Sequence, residues 1–314
     1  MRRRTFLKKK SQVPSPLFRD PIYDVAADPT IIWNNQEKQW WLVYTNRRTN
    51  SPGPQFSWVH GTDLGIASSP DGQSWTYRGI IEGLDIDKGR NTFWAPEILY
   101  HNGRYHMYVS YIQGVPNDWP GHYRDILHYT SENLWDWTYE STLSLSSRYV
   151  IDAAIHQLPD GRWRMWYKDE ANHSHTYAAD SNDLYSWQVV GPVIDGFSHE
   201  GVNIFYWKES YWMIIDQWKG QGVYRSKDGV SWDKNGMILD ESGTRKDDAG
   251  YGHHADVLVR GDHAYIFYFT HPDRSDETGE ESYHFRRSSI QVAELEVVDG
   301  KLICDRNRPF VLEL

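Results

Sequence analysis

Short apolar runs alternate with turn-forming clusters along almost the whole chain, and helical periodicity over a long window is scarce. The runs are rich in Val, Ile, Tyr, Trp and Phe. Clusters such as Asn102-Gly103, Pro159-Asp160-Gly161, Asp228-Gly229 and Asp299-Gly300 separate them, which predicts strands joined by tight turns. A paired pattern recurs in which a polar residue opens one strand, a turn follows, and a strongly aromatic strand returns. Asp28-Pro29-Thr30-Ile31-Ile32 is followed by Trp40-Trp41-Leu42-Val43-Tyr44, and Glu97-Ile98-Leu99-Tyr100 by Tyr105-His106-Met107-Tyr108-Val109. Asp152-Ala153-Ala154-Ile155 precedes Trp163-Arg164-Met165-Trp166-Tyr167, and Glu200-Gly201-Val202-Asn203-Ile204 precedes Tyr211-Trp212-Met213-Ile214-Ile215. His254-Ala255-Asp256-Val257-Leu258 with Ala264-Tyr265-Ile266-Phe267-Tyr268 completes the series.

The openings at 28, 97, 152, 200 and 254 lie 69, 55, 48 and 54 positions apart, a repeat of roughly propeller-blade length. A second marker recurs late in four units: Ser69 to Trp75, Ser131 to Trp137, Ser181 to Trp187 and Ser226 to Trp232. Each reads as a tight turn between outer strands with its Trp folded back between neighbouring blades. Five units, none able to bury its faces alone, predict an all-β, five-bladed β-propeller over residues 20–314, preceded by a basic tail over 1–19. An irregular β-sandwich would leave four Trp markers in register with five strand pairs without a reason. The turn-rich stretches Arg47 to Gly61 and Gln113 to Tyr123 hold Pro, Gly and the aromatics Phe56, Trp58 and Trp119, and fit loops over one mouth of the ring.

Composition narrows the function. Mean hydropathy is low at −0.71, yet 16 Trp, 21 Tyr and 10 Phe supply a packed core and exclude a disordered chain. The net charge of −10 argues against nucleic acid or an anionic membrane as partner and leaves a neutral or cationic ligand. The single cysteine, Cys304, excludes a disulfide framework and a multi-cysteine zinc site, and suits a reducing, cytoplasmic setting. The start, Arg2-Arg3-Arg4-Thr5-Phe6-Leu7-Lys8, has a twin-arginine look, but Lys9, Lys10, Ser11 and Gln12 stand where an apolar segment should begin. It is read as a solvated tail. No P-loop, Gly-x-Gly-x-x-Gly, His-Glu-x-x-His or Gly-x-Ser-x-Gly occurs, which leaves nucleotide, zincin and serine-hydrolase chemistry without support.

In a propeller the innermost strand of each blade lines the central channel, so Asp28, Glu97, Asp152, Glu200 and His254 are expected to converge on one pocket. Crowded carboxylates push their pKa values apart, which acid/base hydrolysis needs. Position by position the blander readings differ. Asp28 before Pro29 has the form of a strand-entry cap, Glu97 of a wall salt bridge, and His254 of a satisfied structural histidine. Asp152 and Glu200 sit beside apolar residues or glycine, where an unpaired charge is costly. Recurrence at the head of every repeat favours the functional reading. His173 and His175 read as a solvated hairpin tip, and Lys168-Asp169-Glu170 as a surface charge cluster within reach of the pocket.

The set Ala27-Asp28-Pro29-Thr30, Phe93-Trp94-Ala95-Pro96-Glu97, Ile151-Asp152-Ala153, His199-Glu200-Gly201 and Gly252-His253-His254-Ala255-Asp256-Val257 resembles glycoside hydrolase family 43 and its five-bladed relatives. The likeness spans about residues 20–314. It implies an inverting glycosidase with Asp28 as general base, Glu200 as general acid and Asp152 as the carboxylate that tunes the acid. It further implies that Trp94, Glu97 and His254 bind the sugar, and that His254 stands beside a bound calcium or water in the channel. Inversion places base and acid on opposite faces of the sugar, with room for a water between. Arabinose- or xylose-containing oligosaccharides are the substrates the resemblance implies, with exo action. Glu97 where Asp is frequent, His199 beside the acid and the doubled His253-His254 depart from the pattern and leave the sugar open. Galactose or anhydro-galactose units, or a propeller that binds sugar without catalysis, are the alternatives. A sialidase would need six blades and an arginine cluster, and no arginine opens an inner strand here. Nothing in the sequence sets an oligomeric state.

Overall fold

The computed structural model describes residues 12–275, 279–280 and 282–314. The export-signal reading of the first ten residues lies outside the described residues. Among the described residues, twenty strands form five antiparallel four-stranded sheets, each from one contiguous stretch of chain. Blade 1 holds β1–β4 (Ala26–Asn34, Gln39–Asn46, Asp63–Ser69, Thr76–Ile80) and blade 2 holds β5–β8 (Thr92–His101, Arg104–Ile112, Asp125–Ser131, Thr138–Thr142). Blade 3 holds β9–β12 (Val150–Gln157, Trp163–Asp169, His175–Ser181, Gln188–Ile194) and blade 4 holds β13–β16 (Glu200–Trp207, Ser210–Asp216, Gln221–Ser226, Asp233–Ile238). Blade 5 holds β17–β20 (His253–Arg260, His263–Thr270, Ser289–Val298, Lys301–Cys304). The first strands touch in a ring, β1 with β5 and β17, β9 with β5 and β13, and β13 with β17. The fold is the expected five-bladed β-propeller.

The core lies between blades. Separate apolar clusters fill each of the five blade interfaces, with Trp41, Trp166 and Trp212 fully buried among them. The marker turns work as the sequence implied. Asp71, Asn133, Asp183 and Asp228 each accept two backbone N–H groups from the residues that follow. Trp75, Trp137, Trp187 and Trp232 then pack against the cluster shared with the preceding blade.

The expected tail boundary at residue 19 is too late. Leu17 and Phe18 are buried, and Phe18 bridges Ile290 of β19, with Ile290 N donating to Phe18 O at 3.0 Å. β20 covers only the far end of β19, so this segment supplies an outer partner for the near end and helps join blade 5 to blade 1.

Every inner strand carries a one-residue bulge against its second strand. Registers align Asp28, Ala95, Asp152, Gly201 and His254 at the bulge, and the first four adopt positive φ of 49°, 46°, 59° and 59°. Asp28, Asp152 and His254 at the bulge, and Trp94 and Glu200 just before it, face the mouth. An inner strand is also a sheet edge with free N–H groups, and side chains of the preceding blade fill several of them. Ala95 N donates to Thr45 Oγ1 at 2.9 Å, Asp152 N to Ser110 Oγ at 3.0 Å, and His254 N to Asp216 Oδ2 at 2.8 Å.

Candidate active site

A pocket of about 530 Å³ opens over the channel mouth and is lined by Asp28, Asp152, Glu200, Trp94 and His254. All five blades and both mouth loops contribute to it. The second strand of a blade runs antiparallel to the first, so its end reaches the same mouth as the start of its neighbour. That geometry delivers Arg47, Lys168 and Trp218 to the pocket.

Each carboxylate has a different environment. Asp28 is nearly buried and paired with Arg47, whose Nη2 lies 3.2 and 3.1 Å from its two oxygens; His254 Nδ1 stands 3.7 Å from Oδ1. Asp152 is nearly buried, and its Oδ2 accepts Gly201 N at 3.0 Å. Burial pushes its pKa up to about 6, with Glu200 and Asp28 acting in the same sense and His254 and Lys168 against it. Glu200 leaves 27% of its side chain exposed and accepts from Lys168 Nζ at 3.0 Å. Desolvation would raise its pKa, but the Lys168 ammonium, the Trp218 indole and Arg47 outweigh it and hold it below the usual glutamate value. The carboxylates are thus split, as acid/base chemistry requires, but in the free pocket Asp152 is the group held toward its protonated form.

Lys168 and Glu170, expected at the surface, are inside. Lys168 is buried and its ammonium is shared between Glu200 at 3.0 Å and Glu170 at 3.1 Å. Glu170 Oε2 lies 2.9 Å from Nε of the buried Arg124, which also donates to the carbonyls of His122 and Trp119. The Arg124 guanidinium stands 4.9 Å from the Trp119 ring, and Trp119 stacks on Trp94 at 5.5 Å and 8°. Trp94, Trp119, Trp58 and Phe56 form an aromatic wall, as the loop reading implied. Trp94 itself is mostly covered, and its indole N–H is engaged with Val59 O at 2.6 Å. Trp218 is 44% exposed at the opposite rim.

One expectation needs correction. Glu97 does not line the pocket. The register aligns it with Asp256, two positions below the bulge ring, and its Oε1 accepts Ile155 N at 2.9 Å. Asp256 bridges blades in the same way, accepting from Ile31 N at 2.8 Å and Asn203 Nδ2 at 3.0 Å. Burial, with Asp256 adding to it, pushes Glu97 up to about 8. His254, expected beside a bound calcium or water, does line the pocket, and the described residues contain no group of three His, Cys, Asp or Glu that could hold a metal by themselves.

His199, beside Glu200, is structural: Nε2 pairs with Thr176 Oγ1 at 2.7 Å and Nδ1 with Phe197 O at 2.9 Å. Burial lowers its pKa to about 4 and keeps it neutral. His173 and His175 sit at the β10–β11 hairpin as read, 5.5 Å apart between ring centroids. Arg47, Trp218 and Arg274 carry no mark in the repeat pattern. Their only sequence signal is position at or just after the end of a second strand.

No family model matches the chain and no curated protein matches its sequence. Solved structures do match in shape. A family-43 β-xylosidase/α-arabinofuranosidase from a compost microbial metagenome, solved with xylotriose in a calcium-free form, aligns over 96% of this chain and 98% of its own at a TM-score of 0.65 and 14% identity. A family-43 β-1,3-galactosidase with galactodeoxynojirimycin aligns over 95% and 100% at 0.66 and 14%. A Bombyx mori family-32 β-fructofuranosidase aligns over 93% of this chain and 66% of its own at 0.69 and 12%. With the five sheets and the site at the channel mouth, these likenesses establish that the chain shares the five-bladed propeller fold of the family-43 and family-32 glycosidases.

Proposed function

We propose that the protein is a glycoside hydrolase that acts with inversion on the terminal sugar of a small oligosaccharide. The observation that carries this reading is the meeting of Asp28, Asp152 and Glu200, from three blades, in one pocket with an aromatic wall. In the proposed reaction Glu200 gives its proton to the glycosidic oxygen as the bond from the anomeric carbon breaks. Asp28 takes a proton from the water that attacks that carbon from the opposite face. Arg47 fixes the Asp28 carboxylate with two contacts to one nitrogen. Asp152, tied to Gly201 N beside the acid, supplies the charge against which Glu200 is tuned. Trp119 and Trp218 offer faces on which sugar rings can stack.

Arabinofuranose or xylose is the proposed terminal sugar, and loops from blades 1 and 2 that wall the pocket favour exo action. A galactoside is a second reading, because a β-1,3-galactosidase stands among the proteins of similar shape. The test is hydrolysis of nitrophenyl α-L-arabinofuranoside, β-D-xyloside and α- and β-galactosides, followed by the matching oligosaccharides. Glu200→Gln and Asp28→Asn are expected to lose at least about 100-fold in kcat while keeping the wild-type melting temperature. Undiminished turnover in either variant would overturn the assignment. Binding of these sugars with no hydrolysis by the wild type would make this a binding propeller instead.

A further inference from the structure

The five blades give an internal control for one residue of the pocket. The second-strand residue paired opposite the position just before each bulge is Thr45 in blade 1, Ser110 in blade 2, Lys168 in blade 3, Asp216 in blade 4 and Phe269 in blade 5. Thr45, Ser110 and Asp216 accept the bulge N–H of the following blade. An ammonium has no lone pair and cannot. Blade 3 therefore gives up that contact at Lys168, and Asp152 takes over Gly201 N. What the substitution gains is a buried cation held between two carboxylates at 3.0 and 3.1 Å, with Glu170 tied in turn to Arg124 and so to the Trp119 loop.

Resting on the reading of Glu200 as the acid, we infer that Lys168 is a positioning residue that sets the protonation of Glu200, and that Glu170 limits its grip by competing for the same ammonium. The groups facing Glu200 are Lys168 from β10, Asp152 from β9, Arg47 from the end of β2, His199 from the segment before β13 and the Trp218 indole from the β14–β15 turn. Asp28, Glu170, His254 and Arg274 line the same pocket beyond them. Lys168 is the cation of this set that touches Glu200, and Glu170 its one alternative partner among the described residues. As the sugar enters, a shift of the ammonium toward Glu170 leaves Glu200 free to take up the proton it must deliver.

Lys168 and Glu170 thus act on Glu200 in opposite senses, which a purely structural role does not produce. Removing the ammonium in Lys168→Met raises the Glu200 pKa, so the alkaline limb of kcat/KM moves up by about one pH unit or more. Removing the competitor in Glu170→Gln moves it down, and Lys168→Arg leaves it near the wild-type position. The same order is read without turnover by carbon-13 titration of glutamate side-chain carboxyls in the full chain, with Glu200 assigned by its absence in Glu200→Gln. A Glu200 midpoint unmoved in Lys168→Met, or moved the same way in both variants, overturns the inference. If the midpoints separate as expected while no glycoside is cleaved, the hold of Lys168 on Glu200 stands and the hydrolase reading fails. Should one variant not fold, the direction of the other's shift still decides.

Discussion

Gly201 follows Glu200, the proposed acid, and sits in the bulge ring, and two separate constraints act on it. Its φ of +59° disfavours any L side chain, and an added Cβ would stand 2.8 Å from His254 Cγ. Gly103, at φ +85°, meets nothing within 4 Å. Gly201→Ala is therefore expected to cost about 2 kcal/mol or more in urea unfolding, and Gly103→Ala only about 1 kcal/mol. Equal costs would mean that the contact with His254 is not tight. The same ring explains what the sequence concealed about single residues. Bulge positions hold Asp, Ala, Asp, Gly and His, so no residue type marks them, and the acidic look of Glu97 drew attention two positions too far down its strand. Asp28, Asp152, Glu200 and His254 were legible because each heads a recurring strand pair, and Trp94 because it stands in the motif before Glu97. Lys168 was not, because its meaning lies in contacts with Glu200, 32 positions away in sequence.

At the scale of elements, inner strands are edges, and the channel is held partly by carboxylates that bridge one blade's edge to the next. Glu97 on β5 accepts from β9, and Asp256 on β17 accepts from β1. Burial raises both pKa values, Glu97 to about 8. A carboxylate raised on folding stabilises most when protonated in both states, and that stability is lost as pH rises from the unfolded value through about 8. Glu97→Gln keeps the acceptor for Ile155 N and removes the charge. Its melting temperature should match the wild type near pH 4 and exceed it at pH 9. A variant less stable than wild type at pH 9 would mean that the ionised carboxylate is favourable in the channel. Strands and turns were legible from alternation and from the Ser-to-Trp markers, since both are local. The bridges are long-range and left no pattern.

For the whole molecule, buried neutral histidines oppose the raised carboxylates. His60, His106 and His199 are lowered to about 4 and His128 to about 3, with His156 and His271 also lowered, burial leading in each. A histidine lowered on folding gives stability that is present above pH 6.5 and lost as pH falls through its folded value. Six such histidines outnumber the four raised carboxylates, Asp63, Glu97, Asp152 and Asp256, so the melting temperature should climb from pH 4.5 to neutrality. A flat profile there would contradict the burial of these rings. The propeller as a whole was legible because its repeat is written five times, whereas closure by Leu17 and Phe18 was not, being a single contact with no repeat behind it. The ring brings carboxylates of different blades to one mouth, and the central proposal is that they cleave a glycoside by direct attack of water. Its most direct test is proton NMR of the first sugar released by the wild type, read before mutarotation. The account predicts an anomeric configuration opposite to that of the substrate, with release lost in Glu200→Gln; release with retained configuration would contradict it.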